Sequence, residues 1–247
     1  MMTTVALARA ELVMLTRNRT ALVNAVLVPF ALGILWIVSD PPGKFASFGA
    51  VLQLLVLIAF TILSVATTTL VARRGQHVLE RWRLSTATNT AILAGTLTPA
   101  LVLFTGQATL LLAMTAYATG SAPDRPLVLG IAVVLGGAFG CALACVTAAC
   151  TRTVEATSVT LLPATTAVIG GGIWATTTAP GELDWWVPAT GGGAIAGIVR
   201  IGWDGAPDGA GLGGAIGAAL PHAAWLLALT AVATAIAAHS FRWHGRA

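Results

Sequence analysis

Arg73, Arg74, Arg81 and Arg83 are packed into one short stretch, with Gly75, His77, Leu79, Glu80 and Trp82 set among them. Long apolar runs flank this stretch on both sides, so its charges must lie in water at one face of a membrane. On a helix, Val78, Leu79 and Trp82 share an apolar side while His77, Glu80, Arg81 and Arg83 supply the polar remainder. Membrane anchoring accounts for the arginines but leaves Glu80 and the interspersed apolar residues without a role. A short amphipathic helix of this composition fits a groove on a soluble partner, with Trp82 and the arginines as its expected anchors.

Other reactive residue types are sparse. A phosphate-binding loop needs a lysine, and the chain has one, Lys44, in Val38-Ser39-Asp40-Pro41-Pro42-Gly43-Lys44-Phe45. That segment lacks both the first glycine and the final Ser/Thr of the motif. His77, His222, His239 and His244 are scattered without metal-ligand spacing. Cys141 and Cys145 are one helical turn apart, with Cys150 nearby, and read as small packing residues. The spans carry no clear ionisable residue near their centres, and Glu155 at the entry of the fifth is the nearest approach. Gln53, Thr67 and Gln107 are polar residues within spans. They either hydrogen-bond between helices or line a translocation path.

The elements that position these residues follow from composition. Of 247 residues 57% are hydrophobic and only 9% charged, and the mean hydropathy is +0.87. Soluble domains carry roughly a quarter charged residues, so this chain cannot cover a soluble globule with polar surface. An all-α integral membrane protein is expected, with one transmembrane domain over 1–247. Apolar runs long enough to span fall at Ala21–Val38, Phe48–Ala72, Thr90–Ala118, Leu127–Cys150, Thr157–Thr178 and Ala215–Ser240. Residues 4–19 read as an amphipathic helix lying in the interface, and the first span is read as retained rather than cleaved. Pro29, Pro99 and Pro163 are expected to kink their spans. Gly136/Gly140, Gly193/Gly197 and Gly213/Gly217 mark close helix contacts.

With six spans and a cytoplasmic N-terminus, ten of the thirteen Lys+Arg residues fall inside, and Lys44, Arg125 and Arg200 fall outside. Both ends are then cytoplasmic, as is the basic loop over 73–86. The external segment 179–214 carries Glu182, Asp184, Trp185, Trp186, Pro188 and the run Gly191-Gly192-Gly193. A seventh span there would export Arg242 and Arg246, so an interfacial or re-entrant helical segment is expected instead.

In this order the pieces resemble the permease subunits of type-2 ABC exporters, a group that includes bacterial drug, antibiotic and polysaccharide exporters. The resemblance rests on Ala8-Arg9-Ala10-Glu11-Leu12 with Arg17-Asn18-Arg19, on Arg73 to Arg81, on the Pro-, Trp- and Gly-containing external segment, and on Phe241-Arg242-Trp243-His244-Gly245-Arg246. The loop differs from the family's usual Gly-Thr-Leu-Glu, since four residues separate Gly75 from Glu80. The resemblance implies a half-transporter in a bacterial plasma membrane, working as a homodimer with a separate ATPase subunit that binds ATP and Mg. It implies that the basic loop is the coupling helix and that this chain is not itself an enzyme and binds no cofactor. The lack of a buried charge suits an amphipathic or hydrophobic cargo, and no nucleic acid is expected as partner. An ion-coupled carrier, a membrane-embedded enzyme and a non-transporting scaffold are the competing classes.

Overall fold

The computed structural model describes residues 13, 23–39, 46–83, 88–178, 185–206 and 211–241, and among them it is helical with no strand. The expected interfacial helix over 4–19, Lys44, the acidic pair Glu182 and Asp184, and the tail beyond Phe241 lie outside the described residues, Val13 excepted. Helix α1 (Val28–Ser39) continues from a wide π-type turn, Val23–Leu27. α2 (Ala46–Gly75) is a continuous helical rod with a π-type stretch at Ile58–Ser64. α3 (Val78–Arg83) is short, and α4 (Asn89–Thr119), α5 (Pro126–Cys150) and α6 (Thr157–Thr177) follow. α7 (Gly192–Asp204) and α8 (Leu212–Ser240) complete the set.

Five of these, α2, α4, α5, α6 and α8, are long and apolar enough to cross a membrane. The chain is therefore a multi-pass membrane protein. α1 with its leading turn reaches only about 25 Å at 1.5 Å per residue, against about 30 Å of hydrocarbon. Threonine is frequent in these helices, and its hydroxyl is satisfied locally. Thr98, Thr105, Thr109, Thr119, Thr230 and Thr234 each donate to the carbonyl four residues back. Only the methyl group then faces the apolar surroundings. Thr88 caps α4 by accepting from the Ala91 N–H at 3.2 Å, and Pro126 opens α5, where its missing N–H costs nothing.

α2 is the central rod. Two-thirds of its apolar window is buried against 17% for α8, which lies on the outside of the bundle against α5 and α7. Its buried polar side chains each reach a different neighbour. Gln53 exchanges hydrogen bonds with Thr115 of α4 at 2.9–3.0 Å. The Thr61 hydroxyl lies 3.0 Å from the Ala25 carbonyl and 2.8 Å from Gln107 Oε1, and the Gln107 amide donates to the same carbonyl at 3.0 Å. Thr67 donates to the Ala144 carbonyl of α5 at 3.4 Å. The two π-type turns meet at this Ala25–Thr61 junction. A π turn shifts the backbone bonding and leaves a carbonyl for outside donors, which Gln107 and Thr61 use.

α7 is sunk into the bundle among α2, α5, α6 and α8, with Gly192 to Val199 and Ile201 to Trp203 all buried. It is 13 residues long, about 20 Å, too short to span. Its first turn abuts Phe139 and Val168, near the middles of α5 and α6. Its last turn reaches the α4–α5 connection, where Gly202 and Trp203 accept from the Arg125 and Asp124 N–H groups at 2.8 and 3.0 Å. Glycines permit the insertion. Gly191 has φ +75° and abuts Phe139, while a Cβ at Gly192 would overlap the Val168 carbonyl. Gly197 makes room for His222 of α8, and Gly202 for the backbone at Leu129. Of the small-residue pairs, Gly136/Gly140 pack on Ile58 and Ile62 of α2, and Gly193/Gly197 on Val187 and His222, whereas Gly213/Gly217 meet nothing.

Gly192→Ala is expected to destabilise the protein by about 1–3 kcal/mol or more, because backbone on α6 cannot yield to a methyl group. Gly217→Ala, in open space, is expected to be neutral or slightly stabilising. Thermal unfolding of both variants in the same detergent checks the difference.

Candidate functional site

The basic stretch sits where α2 ends. Leu70 and Val71 there join a second apolar cluster with Ile92, Cys145, Ala148, Ala149, Ala237 and Phe241. α2 runs through Gly75, and the chain turns at Gln76 and His77 before α3 begins. His77 makes the turn with φ +57°, a left-handed conformation that costs an L-residue about 1–2 kcal/mol. Gly75 is the last helical residue of α2, so the bend is made by His77 and not by the glycine. The Arg81 N–H then bonds the His77 carbonyl at 3.1 Å, closing the first turn of α3.

The arginines divide sharply. Arg74 is 1% exposed and is among the largest fully buried side chains. Its Nη1 donates to the Ala148 carbonyl at 3.0 Å and its Nη2 to the Thr151 carbonyl. These groups belong to the last turn and cap of α5, where carbonyls lack intrahelical donors and the helix dipole is negative. Arg74 had been expected to face a partner. It faces inward because it continues the buried α2 stripe of Thr67, Leu70 and Val71. Trp82 also turns inward and packs on the second cluster, so it holds α3 to its own bundle. What remains outward is Gly75, Gln76, His77 and Arg81, with Arg73 half-buried and donating to Gln76 Oε1 at 3.3 Å. The backbones of Leu79, Glu80 and Arg83 lie in α3, and their side chains fall outside the described residues.

The junction extends from Arg74 to α6. The Thr151 and Thr160 hydroxyls are 2.7 Å apart, so the α5 cap is hydrogen-bonded to the first turn of α6. In the connecting turn, the Ala156 N–H donates to the Thr153 hydroxyl at 3.3 Å. A hydrogen bond from its own backbone N–H, helped by the Thr153 hydroxyl, holds the exposed Glu155 carboxyl below the usual carboxylate range.

Gln53, Thr67 and Gln107 are all buried and engaged in the interhelix bonds described above, so their polar groups are turned to neighbouring helices. Trp185 is exposed and Trp186 packs against Trp174 of α6 in a tilted arrangement with centroids 5.8 Å apart. Cys141 and Cys145 are buried free thiols and Cys150 is exposed. Among the described residues no three His, Cys, Asp or Glu side chains come together as a metal group would require. Two residues gain importance that spacing did not give them. His222, half-buried in α8, rests on Gly197 with an unpartnered Nδ1. Arg200 of α7 donates from Nη1 to the Ala175 and Thr178 carbonyls at 2.9 and 3.2 Å. In the sequence the only signal for Arg200 was a lone cation inside an apolar, glycine-rich stretch.

No protein-family model and no curated protein matches the chain.

Arg74→Met keeps the stem but leaves the Ala148 and Thr151 carbonyls without their donor. A loss of about 2–3 kcal/mol is expected, against within about 0.5 kcal/mol for Arg73→Met, both read as thermal stability in detergent. Because the Glu155 carboxyl is depressed in the folded protein, what it adds to the turn is present at neutral pH. That contribution disappears as pH falls through the folded value. Thr153→Val should raise the Glu155 titration midpoint measured by NMR.

Proposed function

We propose that this chain is the permease subunit of a type-2 ABC exporter, with residues 73–86 as the cytoplasmic segment that meets a separate ATPase. The observation that carries the reading is the two-sided construction of this segment. Arg74 and Trp82 fasten it to the bundle, while Gly75, Gln76, His77 and Arg81 are presented outward. A push on such a projection is delivered to α2 and, through Arg74, to the ends of α5 and α6. Nucleotide chemistry then belongs to the partner, which binds ATP and Mg.

In this reading α1 with the residues before it forms a sixth span, preceded by an interfacial helix over 4–19. The segment Pro188–Asp204 is a re-entrant element that enters from outside and returns as α7. The arginines support the orientation, since Arg73, Arg74, Arg81 and Arg152 cluster at one end of the antiparallel bundle while Arg125 and Arg200 are at the other. The subunit works as a homodimer in a bacterial plasma membrane, with both termini cytoplasmic. It exports an amphipathic or hydrophobic molecule, and drug efflux is the matching physiological role. Membrane-facing surface for lipid or a second subunit is ample on α8, where Leu220, Leu227, Val232 and Ile236 are exposed.

One observation favours a second reading. His222 is a titratable side chain within a span, the kind of group an ion-coupled carrier needs. The two are separated by purifying the tagged chain from its native membrane. The exporter reading expects a Walker-A ATPase to co-purify, and Arg81→Glu to reduce its recovery at least about tenfold with insertion unchanged. Reproducible recovery of the chain alone contradicts that reading, as would efflux that collapses with the proton gradient while ATP persists.

A further inference from the structure

At the bundle end opposite the basic segment lies a cavity of about 530 Å³, lined by Trp36, Ser47, Phe48, Thr176, Thr177, Arg200 and Asp204. It is built from the last turns of α1, α6 and α7 and the first turn of α2. Its volume falls in the range of small-molecule sites, about 300–1,000 Å³. One wall is aromatic, with the Trp36 and Phe48 rings 5.0 Å apart and tilted by 49°. The other wall carries a cation and an anion one helical turn apart.

Arg200 and Asp204 are at i and i+4, with Cβ atoms about 5–6 Å apart, and would ordinarily pair with each other. Here no ion pair joins them. Arg200 Nη1 is committed to the Ala175 and Thr178 carbonyls at the end of α6, which fixes the guanidinium and leaves its Nε and Nη2 without a partner among the described residues. Asp204 is exposed, and its carboxylate has no hydrogen bond among the described residues. The Thr176 and Thr177 hydroxyl protons are given to Ile173 and Trp174 carbonyls, so those oxygens present lone pairs. Ser47 adds a hydroxyl on the α2 side. Among the described residues the wall thus offers donors at Arg200, acceptors at Asp204 and the two threonines, one charge of each sign, and an apolar surface opposite.

From this geometry we infer that the cavity binds a zwitterionic amphiphile of the phosphoethanolamine type, with phosphate on Arg200, ammonium on Asp204 and chains along Trp36 and Phe48. A planar guanidinium with its Nε–Nη2 edge free suits a phosphate. A primary ammonium needs hydrogen-bond acceptors, which the carboxylate and hydroxyl lone pairs provide. A purely anionic headgroup would meet Asp204 without compensation. The short bridge between phosphate and amine matches the one-turn spacing of the two charges. The site holds whether or not an ATPase meets the opposite end of the molecule.

Full-length protein in detergent, titrated with dihexanoyl phosphatidylethanolamine and with dihexanoyl phosphatidylglycerol and followed by native mass spectrometry, tests this. The ethanolamine lipid should bind at least about tenfold more tightly than the glycerol lipid. Asp204→Asn, at an exposed side chain, should erase that preference while leaving the unfolding temperature unchanged. Arg200→Lys should weaken both lipids. Equal affinity of the wild type for the two lipids would overturn the assignment, as would an undiminished preference in Asp204→Asn. A phosphatidylcholine analogue that matches the ethanolamine lipid would show that the ammonium is read by aromatic faces and not by Asp204, and would overturn it too.

Discussion

The Arg74 guanidinium, buried at the end of α2 and bonded to the last carbonyls of α5, is the contact through which the two ends of the polar sequence make sense together. A charge so placed is costly to desolvate, and the negative end of the α5 dipole with its unpaired carbonyls offsets that cost. Three elements are fixed by it at once: the end of α2, the cap of α5 and, through Thr151 and Thr160, the start of α6. α3 hangs from this junction by a two-residue turn and by Trp82 on the apolar cluster below.

The rest of α2 follows the same logic. Polar side chains at Gln53, Thr61 and Thr67 reach α4, the turn that leads into α1, and α5, so the rod is stitched to three neighbours along its length. In an apolar solvent such bonds give orientation, because apolar surface alone does not distinguish neighbouring helix from lipid. At Thr61 the stitch coincides with two π-type turns, places where helices can change register with small cost. α7 is held differently, by close backbone approach at glycines, and therefore by shape more than by hydrogen bonds.

Much of this was legible in the residues. Apolar run lengths placed α2, α4, α5, α6 and α8, and the Pro188 to Gly193 composition argued against a full span at α7. Facing was harder to read. Arg73 and Arg74 are neighbours of the same type, and only the stripe Thr67, Leu70, Val71 tells that the second turns inward. The apolar side of Trp82 has no visible mate in one dimension, so the sequence alone points it at a partner. The cluster it packs on draws residues from α2, α4, α5 and the end of α8, which the sequence keeps apart. Likewise the bend at His77 defied the usual preference for glycine, and the cavity at Arg200 needs four helix ends that sequence order keeps apart.

The central claim is that Arg74 makes the basic segment, the α5 cap and the α6 entry one body. Spin labels at the exposed positions Gln76 and Thr153, in a chain whose Cys141, Cys145 and Cys150 are replaced by alanine, report it directly by pulsed electron resonance. A single narrow distance distribution is predicted with Arg74 present, and a broad or split one with Arg74→Ala. Equally narrow, coincident distributions in both proteins would contradict the account.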